Sequence, residues 1–348
     1  MNIYPIKMDP VFKDYIWGGT LLKSKYGKKS PYDITAESWE VAVHKDGCST
    51  AENGEYAGKN ISEIEADLGE KLVGSLNKGK KFPLLLKLID AKNKLSVQVH
   101  PDNKYAAEHE NGELGKTEMW HIIDCEEDAQ LIFGFSRDVT KEEFAEAIKE
   151  NKLGTVLNSV DVKKGDTFFI KSGTVHAIGS GILIAEIQQN SNTTYRVYDW
   201  GRVGKDGKPR ELHIEKAIDV SNLKSQKGLE KTKAIEVDEV GAVRKYLCSC
   251  EYFGAERVEV KTKSHENANG KSFQIILAVS GNGKIVYSGG EIDISAGESF
   301  LIPAALGEYS IEGNLDYIKY YTPDFENDFV RPLTKAGYSE EEIFKLKG

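Results

Sequence analysis

The chain has 348 residues, 40% of them hydrophobic and 29% charged, with a formal net charge of −9. This composition fits a folded, water-soluble protein long enough for two cores, and its acidic balance speaks against a nucleic-acid partner. No apolar run approaches the roughly 20 residues that cross a bilayer, and residues 1–5 open nothing like a secretory leader, so no membrane partner is expected. Four cysteines do not make a disulfide framework in a chain of this size. Cys48 and Cys125 stand alone, and Cys248-Ser249-Cys250 lacks the second pair a thiolate zinc site needs. They read as reduced thiols of a cytoplasmic protein.

Residues 14–19 (DYIWGG) form a turn around Trp17. That ring either lines a sugar site, stacking on sugar C–H groups, or plugs the end of a core. Residues 37–44 alternate as a strand, and residues 61–72 carry the spacing of a short amphipathic helix that stops near Gly74. Residues 82–90 are largely apolar but contain Lys87, and a lysine inside a buried strand needs a route to water or an anionic partner.

The most informative stretch is residues 94–120 (KLSVQVHPDNKYAAEHENGELGKTEMW). Side chains two apart on a strand share a face, so Ser96, Gln98 and His100 form one row and Leu95, Val97 and Val99 the other. Such a row is ordinary for a half-solvated strand, yet an amide and an imidazole aimed at one point also suit a metal. Glu118 offers a carboxylate after a polar loop, and His176, in residues 165–176 (GDTFFIKSGTVH), offers a second imidazole.

Residues 121–124 and 129–135 read as the two strands of a hairpin. Thr140 starts a helix with Glu142 and Glu143 in its first turn, as the helix dipole favours. Strands follow at 160–162, 167–170, 182–188 and 193–198, then a short helix at 212–220. A charged stretch, 224–237, reads as a linker between residues 1–223 and a second unit, 224–348, whose final short helix is capped by Ser339. Many short, turn-bounded strands predict a mainly β fold of barrels or sandwiches. Residues 165–170 (GDTFFI) recur as 297–302 (GESFLI), which predicts two related barrels. The spacing sets Glu308 in the place of His176, so only the first barrel keeps its metal histidine. His44, His109, His121, His213 and His265 have no partner motif and read as structural or surface residues.

Gly165, Lys171, Gly173 and His176 are spaced as in the second motif of the cupin superfamily, with lysine where that motif has proline. LSVQVHPD, GKTEMW, SGTVHAIGSG and TTYRVYDWGR together resemble the type I mannose-6-phosphate isomerases, in their short bacterial form. The resemblance covers most of the first 210 residues and continues more weakly beyond. It implies two jelly-roll barrels: a metal-containing catalytic cupin domain with an N-terminal extension, 1–223, and a second barrel without metal ligands, 224–348. It further implies one Zn2+ held by Gln98, His100, Glu118 and His176, and a hexose 6-phosphate substrate with no obligate protein partner. Arg196, Lys116, Lys87 and Ser96 fall on the family's functional positions. Thr117 stands where the family often has proline, and the long helical insertion of larger members is absent.

Aldose–ketose isomerisation suits these residues. Its costly species is an enediolate, which a divalent cation stabilises as a Lewis acid, and a ligand set with one carboxylate leaves that cation a net positive charge. Lys116, two residues from a metal ligand, is the first candidate for the base, beside a metal-bound hydroxide or a carboxylate. Arg196 is assigned to stabilising the enediolate. Lys87, Ser96 and Arg202 are candidates for the phosphate, which needs charge-assisted donors, and Trp17 for the sugar. Two rivals are weighed: a non-catalytic, regulatory cupin that binds a sugar phosphate and has no need of Lys116 or Arg196, and an iron-dependent oxygenase, which a glutamine ligand fits poorly.

Overall fold

The computed structural model describes residues 2–204, 207–228 and 230–348. It is mainly β, as the strand spacing predicts, with short helices at the edges. Beside a two-stranded sheet formed by Val43–His44 and Gly47–Cys48, the first half is built on two large antiparallel sheets. One has six strands in the order Thr167–Ile170, Glu118–Cys125, Ile182–Gln189, Leu84–Ala91, Glu37–Val41 and Val11–Lys13. The other has five: Leu157–Asp161, Gln130–Phe135, His176–Ile178, Val97–Val99 and Tyr195–Tyr198. Alternation along each strand decides which residues meet between the sheets. Trp120, Ile122, Phe168 and Ile184 from the first sheet pack on Phe133 and Ile178 from the second. The ladders form open sheets packed face to face, and none among the described residues closes into a barrel.

The other face of the six-stranded sheet presents Leu84, Leu86, Leu88 and Ile187, which join Ile275, Leu277 and Ile318 of the second half in one core. The second half is built on a ten-stranded sheet that also takes in the start of the chain. Ile6 pairs with Leu301 and Lys7 with Phe300, while Met8 and Asp9 pair with Ala51 and Thr50. The N-terminal segment therefore ties the two halves together.

Several elements differ from their sequence-based reading. Residues 121–124 and 129–135 are strands but not a hairpin. Glu118–Cys125 pairs with Thr167–Ile170 and Ile182–Gln189, whereas Gln130–Phe135 pairs with the strands of the other sheet. Both strands carry a row of large apolar residues for each sheet's inner face, and the chain crosses between sheets at the Glu126–Asp128 corner instead of turning back on itself. The helix expected over 61–72 breaks at Gly69, whose φ of +54° ends Ile61–Leu68 before Glu70–Val73 begins. The stretch 224–237 is not free of structure: Gln226 N–H donates to the Phe135 carbonyl at 3.0 Å, and a strand starts at Ile235. Leu229 lies outside the described residues.

Thr140 caps Lys141–Lys149 as expected. Its hydroxyl accepts from Glu143 N–H at 3.1 Å while the Glu143 carboxylate accepts from Thr140 N–H at 2.8 Å, a complete capping box. Thr140→Ala is expected to cost about 1 kcal/mol in denaturant unfolding, with Thr140→Ser restoring most of it. A loss near zero would mean that tertiary packing alone holds this helix.

His121 pairs with Thr167 at the end of its ladder, buried, with Nδ1 3.0 Å from the Thr167 hydroxyl. Burial, aided by the Arg257 and Lys245 charges, pushes its pKa down to about 3. On unfolding it returns to about 6.5. The unfolded chain then binds a proton the folded one refuses, so stability is complete above about pH 6.5 and declines as pH falls towards 3. His121→Asn is expected to shrink the loss of Tm between pH 7 and pH 5; an unchanged slope would assign that loss to other groups.

Candidate metal centre and substrate cavity

The inner faces of the two sheets bring the sequence's four candidate ligands together. Gln98 and His176 are direct partners across the Val97–Val99 and His176–Ile178 ladder, with their side-chain nitrogens 3.4 Å apart. His100 follows on the Gln98 face, and Glu118 opens its strand on the facing sheet. Donor atoms of His100, Glu118 and His176 all lie within 4.8 Å of one another, and all three residues are buried.

The tautomers follow from the backbone. His100 Nδ1 lies 2.8 Å from the Thr193 carbonyl and His176 Nδ1 2.8 Å from the Thr174 carbonyl. A carbonyl only accepts, so each Nδ1 carries the hydrogen and each Nε2 presents a lone pair to the centre. Both imidazoles are held neutral: burial pushes His100 down to about 3, helped by the Lys116 charge, and burial lowers His176 as well. Glu118 is different. Burial alone would raise its carboxyl, but the adjoining Lys116 ammonium outweighs it and holds the group well below the usual carboxylate range. Neither Glu118 oxygen accepts a well-angled hydrogen bond.

Two imidazole lone pairs, an ionised carboxylate without hydrogen bonds and a nearby amide form a donor set that fits a divalent transition metal. The carbonyls behind both imidazoles supply the outer support such ligands require.

A cavity of about 330 Å³ opens beside this cluster, lined by Trp17, Ser96, Gln98, Lys116, Glu186 and Arg196 among others. Lys116 forms an ion pair with Glu118 and lies 3.2 Å from His100 Nε2. Arg196 stands opposite Gln98 in the Tyr195–Tyr198 ladder, donates one N–H to the Glu211 carbonyl at 2.8 Å, and keeps a buried Nε without a partner. Trp17 is buried and lines the cavity wall, so both sequence-level readings of it describe the same place.

Lys87 also reaches the cavity, but its ammonium is shared between Glu37 at 3.5 Å and Glu186 at 3.4 Å. Burial disfavours its charge, and the two carboxylates more than reverse that, so it stays protonated. Arg202 is turned away, donating to the Asp199 carboxylate at 2.5 Å and to the Lys94 carbonyl. It is absent from the cavity lining.

Three residues at the cavity escape the sequence reading. Glu186 accepts from Trp120 Nε1 at 2.9 Å, and its other oxygen has no hydrogen-bond donor. Burial and the Glu118 charge raise its pKa. The signal was present: a lone acid inside the apolar run of residues 182–187 poses the same question as Lys87. Glu37 completes that ion network. Arg210 lines the cavity with its guanidinium fixed on Asp199 by bonds of 2.8 and 2.5 Å; it sits in a loop with no periodicity to mark it.

Residues 6–150 match the family model for the catalytic domain of type I phosphomannose isomerase, and residues 242–322 that for the mannose-6-phosphate isomerase cupin domain. Over 320 residues the chain is 43% identical to a Bacillus subtilis protein described as probable mannose-6-phosphate isomerase GmuF, covering 90% of this chain and 98% of that one. This chain belongs to the type I mannose-6-phosphate isomerase family. Bacillus subtilis mannose-6-phosphate isomerase ManA is 41% identical, over 91% of this chain and 99% of its own length. The crystal structure of the mannose 6-phosphate isomerase from Bacillus subtilis superposes with a TM-score of 0.86 at 37% identity, covering 91% of this chain and 99% of that one. The family's catalytic-domain match contains Gln98, His100, Lys116 and Glu118, while His176 and Arg196 lie beyond its end and reach the site through the fold.

Proposed function

We propose that this chain interconverts mannose 6-phosphate and fructose 6-phosphate by moving a proton between C1 and C2, with one zinc ion in the site. The observation that carries the reading is the junction of a metal-fitting donor set with a cavity that holds two proton-carrying groups and two arginines. Family membership supports it over a non-catalytic sugar-phosphate receptor, which needs neither Lys116 nor Arg196. A zinc ion held by Gln98, His100, Glu118 and His176 supplies Lewis-acid stabilisation of negative charge on adjacent oxygens.

The chain's own residues do the rest. Lys116, in the free-amine form that the step requires, takes the proton from C2 and returns it to C1, its reactive nitrogen placed by Glu118. Glu186, with a raised pKa and one oxygen that accepts no hydrogen bond, moves the hydroxyl proton between O2 and O1. Arg196 keeps its charge and faces the developing enediolate. Arg210, anchored on Asp199, and Ser96 supply donors to the phosphate. Lys87 fixes Glu186 and the second carboxylate, Glu37, through its two ion pairs. The free cysteines fit a reducing cytoplasm as the place of this reaction.

Metal analysis tests the centre. Protein as purified should carry about one zinc per chain, lose it and its activity to a chelator, and regain both on zinc addition. Full activity in chelator-treated, metal-free protein would refute the metal's part.

A further inference from the structure

The two halves are related more closely than their six-residue repeat shows, and the strand registers allow the catalytic cavity to be mapped residue by residue onto the second half. Ile170 pairs with Glu118, and its repeat partner Ile302 pairs with Gln274. Glu186 is paired to Trp120 and to Lys87; the same two steps lead from Ile276 to Lys319 and on to Glu256. Glu37 pairs with Ile89, two residues after Lys87, as Arg244 pairs with Val258, two after Glu256.

The spacing of the repeat places Glu308 opposite His176, but the register corrects this. The 3-10 turn Ala304–Leu306 makes the second connection one residue longer, so Glu308 is exposed and Tyr309 faces inward in the place of His176. Tyr309 pairs with Glu266, as His176 pairs with Gln98. The positions of Gln98, His100, Glu118 and His176 are therefore taken by Glu266, Ala268, Gln274 and Tyr309.

Two conversions follow. The metal donor set has lost both imidazoles, and the described residues hold no second cluster of three possible ligands. The buried triad Glu37–Lys87–Glu186 has become Arg244–Glu256–Lys319, the same geometry with every sign reversed. Arg244 donates to Glu256 at 2.5 Å and to Glu266 at 2.6 Å, and Lys319 reaches Glu266 at 2.6 Å, so two organic cations neutralise the carboxylates. Burial would raise the Glu266 carboxyl, but Arg244 and Lys319 outweigh it and hold it down to about 2. Tyr309 donates to Gln274 at 2.6 Å, fixing that amide.

A buried ion network gives little net stability compared with an apolar core of the same shape. Here it forms the floor of an open cavity of about 470 Å³, larger than the catalytic one, whose lining side chains are all polar or tyrosine. That lining gives no purchase to an apolar ligand. Glu239, Glu256, Glu266, Glu308 and Asp328 outnumber Arg244, Lys271 and Lys319, which disfavours an anion such as a sugar phosphate. Amides, tyrosine hydroxyls and paired carboxylates offer many donors and acceptors at fixed positions, which is what a ring of hydroxyl groups requires.

We infer that this second cavity is a binding site for a neutral, polyhydroxylated ligand of hexose size, separate from catalysis and independent of metal. The inference does not depend on the isomerase reading.

Saturation-transfer NMR and calorimetry of the full chain with unphosphorylated D-mannose and D-glucose test it. At least one should bind metal-free protein. The rim variant Asn267→Leu/Asn269→Leu should weaken that binding about tenfold or more while isomerase activity is unchanged, and Arg210→Ala should leave the binding intact. Asn327→Leu, on a different element of the same rim, repeats the test if the double variant does not fold. No binding of either sugar, binding lost with Arg210→Ala but kept in the rim variants, or preferential binding of mannose 6-phosphate at this cavity would each overturn the inference.

Discussion

Glu118→Gln is expected to remove the metal and, with it, turnover. The change keeps the shape of the side chain and deletes the one formal negative charge among the four candidate ligands. Disturbing a group that merely supports a ligand weakens metal affinity about 10–100-fold, and losing the charged ligand should exceed that. Turnover should fall by at least about 10²–10³, the scale on which a principal electrostatic stabiliser acts. The variant also leaves the Lys116 ammonium buried without its partner, a loss of about 3–5 kcal/mol in stability. Glu118→Gln combined with Lys116→Met should recover much of that stability and none of the metal, which separates a folding defect from a ligand defect. Zinc content and unfolding midpoint, measured on both variants, decide the matter. A single variant that retained stoichiometric zinc and activity would remove Glu118 from the ligand set.

Arg196→Ala has the second largest expected effect. The guanidinium faces the cavity with a buried Nε that no protein acceptor uses, so its donor is available to charge that appears only during reaction. An interaction of that kind acts on kcat rather than on KM. We expect kcat to fall about 10²–10³-fold with KM changed little, and Arg196→Lys to rescue poorly, because a point-like ammonium does not reproduce a planar fork. Arg210→Ala should show the reverse, a raised KM for the phosphorylated sugar with kcat less affected. A large KM effect at Arg196 with kcat preserved would reassign it to ground-state binding.

These residues differ in how visible they were beforehand. Gln98 and His100 were legible as a pair because period-two alternation fixes a face, and a polar row opposite Val97 and Val99 marks the face that needs explaining. Glu118 and His176 were marked only by the ligand types they offer and by the family motifs. The convergence of all four was not legible, since it depends on one sheet facing another. Lys87 posed its question in sequence, a charge inside an apolar strand, but the answer required Glu37 and Glu186, which are 50 and 99 positions away on neighbouring strands. Arg202 and Arg210 lie in the same irregular stretch, and only the orientation of Asp199 distinguishes the one that reaches the cavity.

The expected hairpin at residues 121–135 failed for a related reason. Local pattern identifies strands, while their partners are chosen by the packing of two inner faces. The Glu308 assignment failed through a one-residue difference in a connection, which on a strand is enough to turn a side chain from core to solvent.

The most direct test is a coupled assay of zinc-loaded protein for fructose 6-phosphate formed from mannose 6-phosphate, run beside unphosphorylated mannose. The account predicts rapid, reversible conversion of the phosphorylated sugar and little or none of the free one. Absence of turnover on mannose 6-phosphate with the metal fully loaded would contradict it.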